Sequence, residues 1–173
     1  MAYTDIDDAS AHFQIATYTG NANFNTITND GNSDLAPDFI WGKCRSTTKT
    51  HFWYDTTRGA EKRLESDNTG AEDTGTNGIL NFYTDGFRTA SGNTENDNGE
   101  SYVAWQWKAN GGTTANNTTG SLASVVQANT TAGFSIVTWT GAGGVRTVGH
   151  GLGAAPDVII VKNRSTSTQW GVW

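Results

Sequence analysis

Phe13-Gln-Ile-Ala-Thr-Tyr-Thr-Gly20 returns downstream as Phe134-Ser-Ile-Val-Thr-Trp-Thr-Gly141. Ala36-Pro-Asp-Phe-Ile-Trp-Gly-Lys-Cys-Arg-Ser-Thr47 returns as Ala155-Pro-Asp-Val-Ile-Ile-Val-Lys-Asn-Arg-Ser-Thr166. The offsets are 121 and 119 residues, so one connecting loop is two residues shorter in the second copy. Two blocks repeated in order at nearly one spacing read as duplication of a module of about 120 residues. Side chains alternate within the blocks. Phe13, Ile15 and Thr17 share one face of an extended segment, with Gln14, Ala16 and Tyr18 on the other. Phe134, Ile136 and Thr138 repeat the pattern against Ser135, Val137 and Trp139. Period two is the strand signature, and residues 38–44 and 157–163 are apolar runs of the kind that fill central strands.

Working outward, Tyr102-Val-Ala-Trp-Gln-Trp-Lys108 also alternates, with Val103, Trp105 and Trp107 together. Ile79–Tyr83 and Gly86–Ala90 flank Thr84-Asp85 and predict a hairpin. Leu122–Ala128 predicts one more strand, and a short helical turn is expected near Arg58–Leu64. Many short strands with no helices between them indicate an all-β fold, an antiparallel β-sandwich or jelly-roll-like module. Residues 1–109 read as the first module, 110–120 as a Gly/Asn/Thr-rich linker, and 121–173 as the start of a second. The expected core is Phe13, Ile15, Phe39, Trp41, Val103, Trp105 and Trp107, matched by Phe134, Ile136, Val158 and Ile160. Trp173 aligns with Tyr54, so the second copy stops part-way. A partial module leaves strand edges and an apolar face uncovered, so this reading expects further chain or a partner to complete it.

The chain holds 27 Thr, 16 Asn and 21 Gly, a strand-and-turn composition. Seven Trp supply large apolar surface and argue against disorder. The net charge of −6 provides no basic stripe for nucleic acid. Lys43, Arg45, Lys49, Arg58, Lys62 and Arg63 are interrupted by Asp55 and Glu61 and read as a solvated face. No apolar run reaches the roughly 20 residues of a membrane helix, so no membrane insertion is expected. The N-terminus lacks the basic start and apolar core of a signal peptide. Cys44 is the single cysteine, which excludes a disulfide scaffold or a cysteine zinc site.

Catalytic signatures are missing. His150 lies in a glycine turn with no nucleophile beside it, His51 precedes Phe52-Trp-Tyr54, and structural roles are the plainer reading. Asn29–Asp34 and Asn96–Glu100 carry several oxygen ligands, but Thr26 and Thr94 stand where a calcium loop needs its first Asp. No catalytic, cofactor-binding or metal residue is assigned, and no enzyme is expected. Trp53, Tyr54, Trp170 and Trp173 are candidates for glycan or partner contact, because rings stack on sugars beside hydrogen-bonding amides.

Tyr18–Asn21, Ala36–Trp41, Tyr54–Ala60, Asp85–Phe87 and Tyr102–Ala109, followed by Ala128–Val137 and Val148–Pro156, resemble in that order a repeat domain of large marine bacteriophage proteins. The resemblance spans essentially the whole chain and implies a virion structural protein, of the tail-fibre or appendage kind. It carries no catalytic residues. Gly42 departs from the pattern, which has a larger apolar residue there; Val161 keeps it. The resemblance implies localisation in the virion after assembly in the host cytoplasm. Its implied partners are other virion proteins of tail or capsid, further copies in a homo-oligomer, and a host surface glycan. Tyr3, Ile6 and Phe13 would dock on the particle. The alternatives are a capsid decoration protein, and a glycan-binding or glycan-processing tail protein whose active domain lies beyond residue 173.

Overall fold

The structure is a computed structural model that describes residues 6–75, 77–92 and 94–173. The chain is all-β. The one helical element among the described residues is a single 3-10 turn at Ala9–Ala11, capped by the Asp8 carboxylate accepting from the Ser10 amide at 2.9 Å. The first half contributes β1 (Phe13–Thr19), β2 (Asn25–Ile27), β3 (Phe39–Cys44), β4 (Phe52–Asp55), β5 (Lys62–Glu65), β6 (Asp73–Thr74), β7 (Ile79–Tyr83), β8 (Gly86–Thr89) and β9 (Ser101–Trp107). A six-stranded sheet runs β1-β9-β3-β4-β5-β6, and a three-stranded sheet runs β2-β8-β7. Neighbouring strands in both sheets are antiparallel. The sheets face each other across Ala16, Ile40, Cys44, Phe52, Tyr54, Tyr102 and Ala104 from one, and Ile27, Ile79 and Phe87 from the other. This is a β-sandwich. The hairpin at Thr84-Asp85 forms as expected, and Gly86 takes a positive φ of 110° where a side chain would meet the Ile27 carbonyl.

The second half contributes β10 (Ala115–Asn117), β11 (Ser124–Asn129), β12 (Phe134–Trp139), β13 (Ile160–Val161) and β14 (Gly171–Val172). They form a sheet β10-β11-β12 and a separate hairpin β13-β14. Residues 110–120, expected as a linker, therefore contain β10. The helical turn expected near Arg58–Leu64 is instead a turn region leading into β5, which itself takes in residues 62–64.

The expected core lies on the wrong face. Gln14, Ala16, Tyr102, Ala104 and Gln106 point into the sandwich, whereas Phe13, Phe39, Trp41, Val103, Trp105 and Trp107 are half-buried on the outside and Ile15 is 49% exposed. The reason is physical. Small residues at Ala16, Gly42 and Ala104 let the large inward rings Phe52, Tyr54 and Tyr102 pack between the sheets. The loop before Leu35 takes up the inward glutamines: Gln14 donates to Ser33 at 2.7 Å and accepts from the Gly31 amide at 2.9 Å, and Gln106 donates to Asn29 at 2.6 Å while its Oε1 has no partner among the described residues. Buried polar groups are tolerated on such terms. In the second half, Phe134 and Ile136 are half-buried, and Val158 and Ile160 are exposed at 65% and 42%.

Candidate functional site

The outward face of the six-stranded sheet is an aromatic field. Strand register aligns Phe13, Trp107 and Phe39 in one row and Ile15, Trp105, Trp41 and Trp53 in the next. Successive rings touch across the strands: Phe13–Trp107 at 4.8 Å between centroids, Phe39–Trp53 at 5.0 Å, Trp41–Trp53 at 5.5 Å and Trp41–Trp105 at 5.7 Å. Tilted and edge-on pairs of this kind each contribute about 0.5–1.5 kcal/mol beyond burial. The indole N–H groups of Trp41 and Trp53 are buried here with no acceptor among the described residues. A buried donor left so costs about 1–3 kcal/mol.

Part of this field is covered by the second half. The Phe134 ring lies 6.0 Å from Trp107, nearly parallel, and 5.9 Å from Phe39. Trp170 meets Trp53 edge-on at 4.7 Å and shares its indole N–H between the carbonyls of Glu65 (3.1 Å) and Asn68 (3.0 Å). Polar clamps flank the rings. Buried Gln127 donates to Thr56 at 2.8 Å and Thr57 at 2.7 Å and accepts from the Gly112 amide at 3.0 Å. Asn129 donates to the Lys108 carbonyl at 3.2 Å and meets His12 Nδ1 at 3.0 Å. Arg164 grips Glu72 through Nε at 2.7 Å and through its terminal nitrogen at 2.8 Å, while Arg58 holds the same carboxylate at 3.0 Å. Burial works to raise the Glu72 pKa, but the hydrogen bonds and charge of Arg164 and Arg58 win and hold it below the usual value.

Asp38, in the repeated Ala-Pro-Asp, is buried and accepts four bonds. They come from the Ala109 and Gly111 amides at 2.8 Å, the Gly112 amide at 2.7 Å and the Thr56 hydroxyl at 2.8 Å. It fixes the exit from β9 and the start of the second half. Its signal in the sequence was the repeat of Pro-Asp itself.

The candidate contact residues separate. Trp53 and Trp170 come together on the aromatic face, and Trp173 is 72% exposed. Tyr54 is not a surface residue: it is 1% exposed, on the inward side of β4, and its hydroxyl donates to Glu95 at 3.0 Å. That carboxylate also receives Arg63 at 3.2 Å, and burial pushes its pKa up against the pull of the guanidinium. Ile6 and Phe13 are both half-buried, with Phe13 engaged by Trp107; Tyr3 lies outside the described residues. Lys49 pairs with Asp97, and Ser46 donates to Glu100. Among the described residues no three His, Cys, Asp or Glu side chains converge as a metal site requires. His150 Nδ1 accepts from the Leu152 amide at 3.3 Å, closing its own turn.

Residues 8–173 match the model of a family described as Domain of unknown function (DUF7483). The chain belongs to that family. The matched span runs through 110–120 without a break, so the family unit takes in the sandwich, the aromatic face and the segments docked on it. No curated protein and no solved structure matches the chain.

Proposed function

We propose that the chain is a structural protein of a bacteriophage particle, part of a tail fibre or appendage assembled from tandem β-modules. Its work is mechanical and adhesive: attachment near the N-terminal end around Ile6, projection of successive modules, and contact with the host surface or a neighbouring virion protein. The observation that carries this reading is the docking of Phe134 and Trp170 onto the aromatic face, clamped by Gln127 and by Arg164 on Glu72. A projecting array needs each module held on the last in a fixed orientation, and apolar contact flanked by polar pairs supplies that. The ordered motifs of the sequence support the same reading.

The test is quantitative mass spectrometry of gradient-purified particles, with gold labelling by antibodies against the 173-residue protein. Peptides of this chain at a fixed copy number per particle, with label on the tail, are expected. Label distributed over the shell would move the assignment to a capsid decoration protein. Confinement of the chain to the soluble fraction of the lysate would remove the virion role.

A further inference from the structure

We infer that the second half carries an open strand site between β12 and β13, and that its occupant is an extended segment of the Ser101–Trp107 pattern that is not already held in a sheet of its own. The inference rests on the tandem-module part of the reading above and not on its virion part.

The argument starts from register. In the first half β3 pairs with β4 as Ile40↔Tyr54, Trp41↔Trp53 and Gly42↔Phe52. Adding the sequence offset of 119 gives Ile159 with Trp173, Ile160 with Val172 and Val161 with Gly171. Those are the pairings of the second half. Ile160↔Val172 and Val161↔Gly171 form β13-β14, and Ile159 and Trp173 exchange both backbone bonds at 2.9 and 3.0 Å. The hairpin β13-β14 is thus β3-β4 over again, and β12 stands where β1 stands in the sequence.

In the first half β1 and β3 do not touch each other. Both hydrogen-bond to β9, which lies between them. In the second half, among the described residues, β12 pairs only with β11 and β13 only with β14. The available edge of β13 is the correct one. Ile159 spends its N–H and carbonyl on Trp173, so by alternation the backbone groups of Val158 and Ile160 point away from β14. Their counterparts Phe39 and Trp41 lie on the edge by which β3 holds β9, as the Arg45 amide bonded to Ser101 at 2.7 Å marks. On β1 the β9 edge carries His12, bonded to Lys108, and Gly20, bonded to Glu100, hence also Gln14 and Ala16. Ser135 and Val137 are the counterparts on β12.

Two further features fit the same occupant. Asp38 holds the amides just after β9, whereas its counterpart Asp157 is exposed. And Trp41 and Trp105 have neither Phe134 nor Trp170 as a ring partner. Phe134 lies on the face of its strand that Phe13 occupies in β1, so the two halves meet outward face to outward face. A strand repeating Val103, Trp105 and Trp107 would therefore present its large side chains to the half-exposed field while its backbone joins β12 to β13. Recognition is by strand addition: main-chain bonds to two edges, with alternate side chains setting register.

The experiment adds a synthetic peptide of sequence Glu100–Ala109, flanked by lysines for solubility, to the 173-residue protein and reads amide exchange by NMR. The expected result is saturable binding with exchange at Val137 and Ile160 slowed at least tenfold. The same peptide N-methylated at alternate residues should be without effect. No binding, or protection confined to other strands, would overturn the inference. So would protection of these amides that grows with protein concentration alone, because a folded second copy holds its own Ser101–Trp107 between β1 and β3 and would have to dock by another surface. So also would equal protection by a chito-oligosaccharide in place of the peptide, which would make the face a glycan site. Mass spectrometry of particles reports on the virion role whatever the peptide does.

Discussion

Gly42→Ala tests the inversion of the sheet face. An ideal Cβ at Gly42 would overlap the Phe52 ring, and Phe52 is fully buried beside it across the β3–β4 pair. Two effects favour alanine: about 0.8 kcal/mol for a buried methyl and about 0.5–1 kcal/mol of backbone entropy. Overpacking opposes them at about 1–3 kcal/mol, at the high end where the neighbour is a ring fixed by Tyr54 and Ile40 rather than a flexible tail. We expect a net loss of about 1 kcal/mol, seen as a lower urea midpoint by tryptophan fluorescence with an unchanged slope. Gly141→Ala is the control, because nothing lies within 4 Å of its Cβ position; it should be neutral or slightly stabilising. Adding Phe52→Leu to Gly42→Ala should recover part of the loss. If Gly42→Ala alone is as stable as the parent, the inward face has been assigned wrongly.

Three other outcomes follow from the contacts between the halves. Trp170→Ala removes the ring from Trp53 and the shared N–H from two carbonyls, and should cost about 2–3 kcal/mol; an unchanged midpoint would deny the docking any energetic weight. Asp38→Asn turns a four-fold acceptor partly into a donor facing amide N–H groups and should cost about 2–4 kcal/mol, measured by the same unfolding curve. Glu72 has a folded pKa below its reference value of 4.5, so its stabilisation is present above that value and fades as pH falls through the folded value. The parent should therefore lose stability more steeply than Glu72→Gln as the pH falls below about 4.5, and parallel pH profiles would contradict the ion-pair account.

Strands were legible because alternation and the duplicated blocks are local signals. β1, β3, β9 and the β7–β8 hairpin fall where residues 12–19, 38–44, 102–108 and 79–90 were read. Which face is inside was not legible. Alternation gives two faces, and hydrophobicity assigned Phe13, Trp105 and Trp107 inward because nothing in the sequence shows that a loop bonds both ends of the Gln14 amide and the Nε2 of Gln106. Nor does it show that Phe134 gives the outward rings a partner. Trp53 and Trp170 were picked out as aromatic candidates, but their contact depends on a hairpin docking more than 100 residues away. Tyr54 was misread because its neighbour on the strand, Trp53, faces the other way. Asp38 was visible as a repeated letter, while its role needed the chain after Trp107 to fold back onto it.

The claim on which the rest depends is that the second half sits on the aromatic face of the first sheet. Aromatic NOE spectroscopy of the 173-residue protein tests it most directly. With centroids 6.0 Å apart for Phe134 and Trp107 and 4.7 Å for Trp53 and Trp170, cross-peaks between both ring pairs are predicted. Cross-peaks within the first half, such as Phe13 to Trp107, with none to Phe134 or Trp170, would contradict it.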